Sequence, residues 1–128
     1  MSDSKLEGQI RPILKQLNTK SQDMEASAVI SRDGLCLAAD LRAGVDPDRM
    51  GAICATILGL ADTAAKELDR GILQQVLLYG SKGLLLLIQI GKHHVLAVEA
   101  RPNINIGMVL LEARKAVIQL STLVPTYE

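Results

Sequence analysis

The sequence predicts a mixed α/β (α+β) fold with its elements in the order α-β-β-α-β-β-β-α. Two observations carry the order: three stretches have apolar residues at helical spacing, and five short apolar runs are joined by glycine-containing or polar links. A third concerns the layers. The run Leu84-Leu85-Leu86-Leu87-Ile88 has no polar alternation, so that strand is covered on both faces, belongs at the centre of the sheet, and calls for helices on both sides. With 128 residues the chain is expected to form a single domain over 1–128. No internal repeat, low-complexity tract or long linker divides it.

Each element has its own local reason. Leu6, Ile10, Ile13, Leu14 and Leu17 recur at helical spacing between Ser4 and Leu17, with charged or amide side chains between them. Pro12 inside this helix lacks an N–H, so the helix either kinks there or begins near Gln9 to Arg11. Polar residues from Asn18 to Asp23 precede a strand over Met24 to Ile30, which is rich in small and β-branched side chains. Arg32-Asp33-Gly34 then turns the chain into a returning strand, Leu35 to Ala39, as a hairpin whose two central residues need positive φ. Asp46-Pro47-Asp48 combines an N-cap acceptor, a proline at the first helical position and negative charge at the positive end of the dipole. A long second helix from about Pro47 to Leu68 follows. Leu73 to Tyr79, Leu84 to Ile90 and His94 to Ala100 read as a meander, linked by Gly80-Ser81-Lys82-Gly83 and by Gly91-Lys92. Ile106, Val109, Leu110, Ala113, Val117 and Leu120 mark a last helix, capped by Asn103 or Asn105 and ending before Pro125.

The second helix has two faces. Met50, Ile53, Cys54, Ile57, Ala61, Ala64 and Leu68, widened by Leu58 and Leu60, form the expected core stripe. Gly51, Ala52, Ala55 and Gly59 fall opposite, together with Thr56, Asp62, Thr63 and Lys66. Glycine inside a helix costs about 0.8–1.0 kcal/mol relative to alanine, so two of them on an outward face need a reason. Either another backbone packs closely there, as in helix-to-helix self-association, or the line packs on a tight loop of the same chain.

Composition excludes several classes of function. Aromatic residues are 2 % of the chain, only Tyr79 and Tyr127, against 48 % hydrophobic residues. Stacking platforms for single-stranded nucleic acid, aromatic cages and proline-peptide grooves therefore lack material. Fourteen basic and fourteen acidic residues cancel, which disfavours nucleic acid as a partner. No run approaches the ~20 apolar residues of a membrane span, and the N-terminus does not read as a secretory signal, so a cytoplasmic protein is expected. Cys36 and Cys54 read as buried free thiols. His93 and His94, adjacent in a strand, would point to opposite faces and could not chelate a metal together. Gly80-Ser81-Lys82-Gly83 lacks the spacing of a phosphate-binding loop. No catalytic residues, cofactor or metal are expected, and the chain is not read as an enzyme.

Three segments carry a family resemblance: Ala28-Val29-Ile30-Ser31-Arg32-Asp33-Gly34-Leu35, the Ala/Gly-rich helix from Met50 to Leu68, and Asn103-Ile104-Asn105-Ile106-Gly107-Met108 before Leu110-Leu111-Glu112-Ala113-Arg114. In order and spacing they resemble the roadblock / dynein light chain superfamily, in its prokaryotic MglB-like branch, over about Leu6 to Leu123. The resemblance implies a five-stranded antiparallel sheet with the second helix on one face and the terminal helices on the other. It implies a homodimer in which second helices pack together, with Ala52, Ala55, Thr56 and Gly59 near the contact. The third strands, carrying Gln75, Leu77 and Tyr79, would pair edge to edge. It further implies a regulator or adaptor of a small Ras-like GTPase, a GTPase-activating protein being one form, with Arg49, Asp62, Thr63 and Lys66 as outward contacts. A small-ligand sensor, marked by an apolar pocket with a few polar groups, and a purely structural scaffold subunit are the competing expectations.

Overall fold

Residues 2–124 are described by the computed structural model. The first helix, α1 (Ser2–Asn18), continues through Pro12 without a break. Both Pro12 and Gly8, four residues earlier, are exposed. Water can therefore serve the Gly8 carbonyl that loses its helical donor, and the late start expected near Gln9 to Arg11 does not occur. Asn18 closes the helix onto the sheet, its Nδ2 donating to the Asp40 carbonyl oxygen at 3.1 Å and to Asp40 Oδ2 at 2.9 Å.

The hairpin of β1 (Met24–Ser31) and β2 (Cys36–Asp40) turns where Asp33-Gly34 predicts, with different geometry. Only Gly34 has positive φ, at +97°. Gly34 N–H donates to the Ser31 carbonyl at 2.9 Å and Ser31 N–H to the Leu35 carbonyl at 2.8 Å, which is a three-residue turn ending in a left-handed glycine. Beyond it the register slips between Val29 and Ile30. Leu37 and Ala38 consequently both meet the α1 side, while Cys36 and Ala39 meet the other.

Helix α2 (Pro47–Glu67) starts as its capping signals require, with Asp46 Oδ1 accepting from Asp48 N–H at 3.0 Å. Strands β3 (Gln75–Gly80), β4 (Gly83–Ile90) and β5 (His94–Ala100) form the meander, and α3 (Ile106–Ser121) follows. Asn105 is its cap, accepting from Met108 N–H at 3.1 Å. Asn103 instead occupies a left-handed position in the preceding turn. Pro125 and Tyr127 lie outside the described residues.

The sheet is antiparallel throughout, in the order β2-β1-β5-β4-β3. The central strand is β5, not β4 as the unbroken Leu84 to Ile88 run predicts. Burial on both faces needs flanking layers and an inner position, and β4 has both without standing in the middle. Its residues divide by parity: Leu86, Ile88 and Ile90 face α1 and α3, while Leu85 and Leu87 face α2. His93 lies in the β4–β5 turn rather than in the strand, and only His94 enters the sheet. Among the described residues no helix is long and apolar enough to cross a membrane.

One close approach sets the position of α2. A Cβ on Gly51 would run into the carbonyl oxygen of Gly34, and the Cα of Ala52 lies 3.5 Å from where a Cβ on Gly34 would sit. Gly51 is therefore buried against the hairpin, which answers half of the glycine question with the same-chain loop. Gly51→Ala should destabilise the protein by about 1–3 kcal/mol in urea unfolding, despite a helix-propensity gain of about 0.8–1.0 kcal/mol.

Candidate functional site

With Gly51 turned inward, α2 sits rotated from the orientation its apolar residues suggest. Met50, Cys54 and Leu58 are buried, and Ile57 is half-buried. Ile53 is 50 % exposed and Leu60 69 %, and Ala64 and Leu68 are also exposed, so these four members of the expected core stripe face solvent. The stripe is wider than one layer of sheet can cover. From Ala52 to Ala64 the exposed positions are Ala52, Ile53, Thr56, Gly59, Leu60, Thr63 and Ala64, none charged. Thr56 directs its hydroxyl back to the Ala52 carbonyl at 2.8 Å. Nothing lies within 4 Å of a Cβ built on Gly59. The half-buried Ala55 flanks this surface.

Charged side chains hold α2 in place from its other flank. Arg32, from the hairpin turn, reaches Asp62 at 3.5 Å and donates to Gln89 Oε1 at 2.8 Å, and Lys66 pairs with Asp62 at 3.2 Å. Gln89 Nε2 in turn donates to the Leu73 carbonyl at 2.7 Å. Asp62, expected as an outward contact, is thus a structural tie between helix, hairpin and sheet. Thr63 and Lys66 are exposed, and Arg49 stands exposed at the start of α2.

The sheet has an open edge at β3. Strand β3 pairs only with β4. Of its expected contact residues, Gln75 accepts from Arg114 at 2.9 Å, Leu77 packs into the cluster beneath α1 and α3, and Tyr79 is exposed. Those three share the face away from α2. Val76 and Leu78 share the face of α2, and Leu78, 45 % exposed, is a surface residue that the sequence reading passes over. The period-2 alternation of the strand carries that signal, since Leu78 pairs directly with Leu85.

An open cleft of about 410 Å³ separates the start of α2 from the sheet. Met50, Ile53, Cys54 and Leu85 form its apolar part, with Arg49 and Glu99 among its polar groups. Glu99 is paired with Arg42 at 2.7 Å. Neither thiol is primed for chemistry. Burial raises the Cys54 pKa to about 11, and burial also raises that of Cys36, which is half-buried rather than fully enclosed. Among the described residues no group of three or more His, Cys, Asp or Glu could hold a metal ion. His94 is buried with no hydrogen-bond partner for Nδ1 among the described residues, and burial, then the nearby His93, lowers its pKa from the ordinary 6.5.

A five-stranded antiparallel sheet between a helix pair and one long helix, in this order of elements, is the roadblock fold. The chain belongs to the Roadblock/LC7 domain family, whose model matches residues 13–100. An uncharacterized protein of Methanocaldococcus jannaschii is 30 % identical over 81 % of this chain and 90 % of its own length. Among solved structures, Myxococcus xanthus MglB is similar with a TM-score of 0.82 and 17 % identity, covering 89 % of this chain and 93 % of its own. A Roadblock/LC7 domain from Streptomyces avermitilis has a TM-score of 0.80 and 21 % identity, over 86 % and 92 %. An MglB in a tetrameric arrangement has a TM-score of 0.81 and 18 % identity, over 92 % and 89 %.

Two measurements test the local electrostatics. A double-mutant cycle on Arg32→Ala and Asp62→Ala, read by urea unfolding, should give a coupling of about 0.5–1 kcal/mol, as for a partly exposed pair. For His94, the unfolded chain binds a proton that the folded chain does not between the lowered pKa and 6.5. Its contribution to stability is intact above 6.5 and is lost as pH falls below that value. The Tm difference between about pH 7.5 and about pH 5.5 should therefore shrink in His94→Gln.

Proposed function

We propose that this protein is a homodimeric regulator or adaptor of a small Ras-like GTPase, acting by protein–protein binding through α2 and performing no chemistry of its own. The observation that carries the reading is that α2 keeps a charge-free exposed face on one side of a sheet whose β3 edge is unpaired. A second copy covers both at once. Pairing two β3 edges antiparallel removes the edge and places both α2 helices on one face of a continuous sheet. Gly59 keeps that face low enough for a second helix to approach.

The resemblance to the MglB-like branch supports a GTPase as the partner, and the fold shared with MglB agrees with it. On this reading the paired α2 helices form a platform, with Arg49, Thr63 and Lys66 as its exposed polar contacts. Asp62 contributes less, being held by Arg32. The platform would act by repositioning the switch loops of the GTPase, whether it stimulates hydrolysis, promotes nucleotide exchange or recruits. The protein needs no cofactor for this, and the cytoplasm is where it would meet such a partner. The sensor reading keeps one observation in its favour, the apolar cleft of about 410 Å³ with a few polar groups.

Light scattering on the wild type should give a dimer at micromolar concentration, and immobilised protein should retain a Ras-like GTPase in one nucleotide form more than the other. Gly59→Leu projects into open space in the protomer, so the variant should fold yet lose the dimer and GTPase capture together. A monomeric wild type would overturn the dimer. Capture of neither the GTP nor the GDP form would overturn the GTPase assignment.

A further inference from the structure

Fourteen basic and fourteen acidic residues cancel over the whole chain but not over its surface. On α1, on residues 19 and 20 just after it, and on α3, every exposed charged side chain among the described residues is basic: Lys5, Arg11, Lys15, Lys20, Arg114 and Lys115. The acids described there, Glu7 and Glu112, are half-buried, Glu7 bonded to Arg11 and Glu112 lying 3.7 Å from Lys115. Lys5, Lys15 and Lys20 have no ion-pair partner among the described residues. Exposed acids stand elsewhere, among them Asp46, Asp48, Glu67 and Asp69 at the two ends of α2. Aliphatic side chains join the cations. Leu111, 53 % exposed, and Ile118, 69 % exposed, lie two turns apart on the side of α3 opposite its buried Val109, Ala113, Ala116 and Leu120.

The two helices pack against each other on one face of the sheet, and each is about 25 Å long. Lys20 and Lys115 line the open groove between them, so positive charge continues across the seam. We propose that this face docks on an anionic lipid bilayer, with its cations on headgroup phosphates and Leu111 and Ile118 at the acyl boundary. Nucleic acid offers phosphates too, but it gives exposed Leu and Ile nothing to enter, and the stacking aromatics of single-strand binders are missing. An acidic helix seated in the groove would reach Lys20 and Lys115 and leave Lys15 and Leu111 aside, since neither lines it. A bilayer meets all of them at once. Because α2 covers the opposite face of the sheet, docking leaves it pointing away from the lipid. The inference goes beyond the α2 reading and stands without it.

The test is co-sedimentation of the full chain with vesicles of phosphatidylcholine alone or mixed with phosphatidylglycerol. The mixed vesicles should bind at least about tenfold more tightly, and raising salt from about 0.1 M to about 0.5 M should release most of the protein. Lys5→Glu with Lys15→Glu, which breaks no described ion pair, should lower the affinity at least about tenfold. Arg70→Glu with Lys82→Glu makes the same change of net charge away from this face and should leave binding within about twofold of wild type. Leu111→Ser with Ile118→Ser keeps the charge and should also weaken binding, by at least about fivefold. No preference for the mixed vesicles would overturn the proposal, and so would equal losses in the two charge-reversed variants. Binding of polyglutamate as tight as that of the mixed vesicles, with the serine variant unaffected, would replace the bilayer with an acidic protein.

Discussion

At Gly51 the backbone of α2 approaches the Gly34 carbonyl so closely that no side chain fits between them. The contact requires a glycine on each side for different reasons: Gly51 because a Cβ would collide, and Gly34 because its φ is left-handed. Once made, it sets the rotation of α2 about its own axis. Met50, Cys54 and Leu58 then point to the sheet, and Ile53, Leu60 and Ala64 are carried outward. The Arg32–Asp62–Gln89 tie reinforces the same rotation from further along the helix.

The price of that arrangement is an apolar surface in water beside an unpaired strand. Either feature alone is a liability for a soluble chain, and together they are a template for association. On the proposed reading a symmetric contact would cover both. The face away from α2 has a different character. There α1 and α3 bury Leu86, Leu96, Val98 and Leu120 completely, each worth about 1.5–3 kcal/mol of transfer from water, and hold the sheet as a stable base.

Much of this was legible along the chain. The capping run at Asp46 to Asp48, the turn glycine at 34, the meander glycines and the period of the last helix all act within a few residues, so their consequences are written locally. Other features were not. The unbroken apolar run of β4 reports burial on two faces but not rank within the sheet, and β5 took the centre because β1 returns to pair with it. The wide apolar stripe of α2 cannot say which of its edges is buried, since a helix wider in apolar residues than its contact can rotate either way. Gly51 and Gly59 look alike in sequence. One meets a carbonyl and the other meets nothing within 4 Å.

By itself, then, the sequence determined the kind and order of the elements, the aliphatic core and the scarcity of groups able to do chemistry, because propensity, capping and composition are properties of neighbouring residues. Tertiary structure alone decided the strand order, the rotation of α2, the pairing of Asp62 with Arg32, and the exposure of Leu78. Each of these depends on which backbone approaches which from far along the chain, as Gly34 meets Gly51 and Arg32 meets Asp62. Such encounters are settled by packing the whole domain at once.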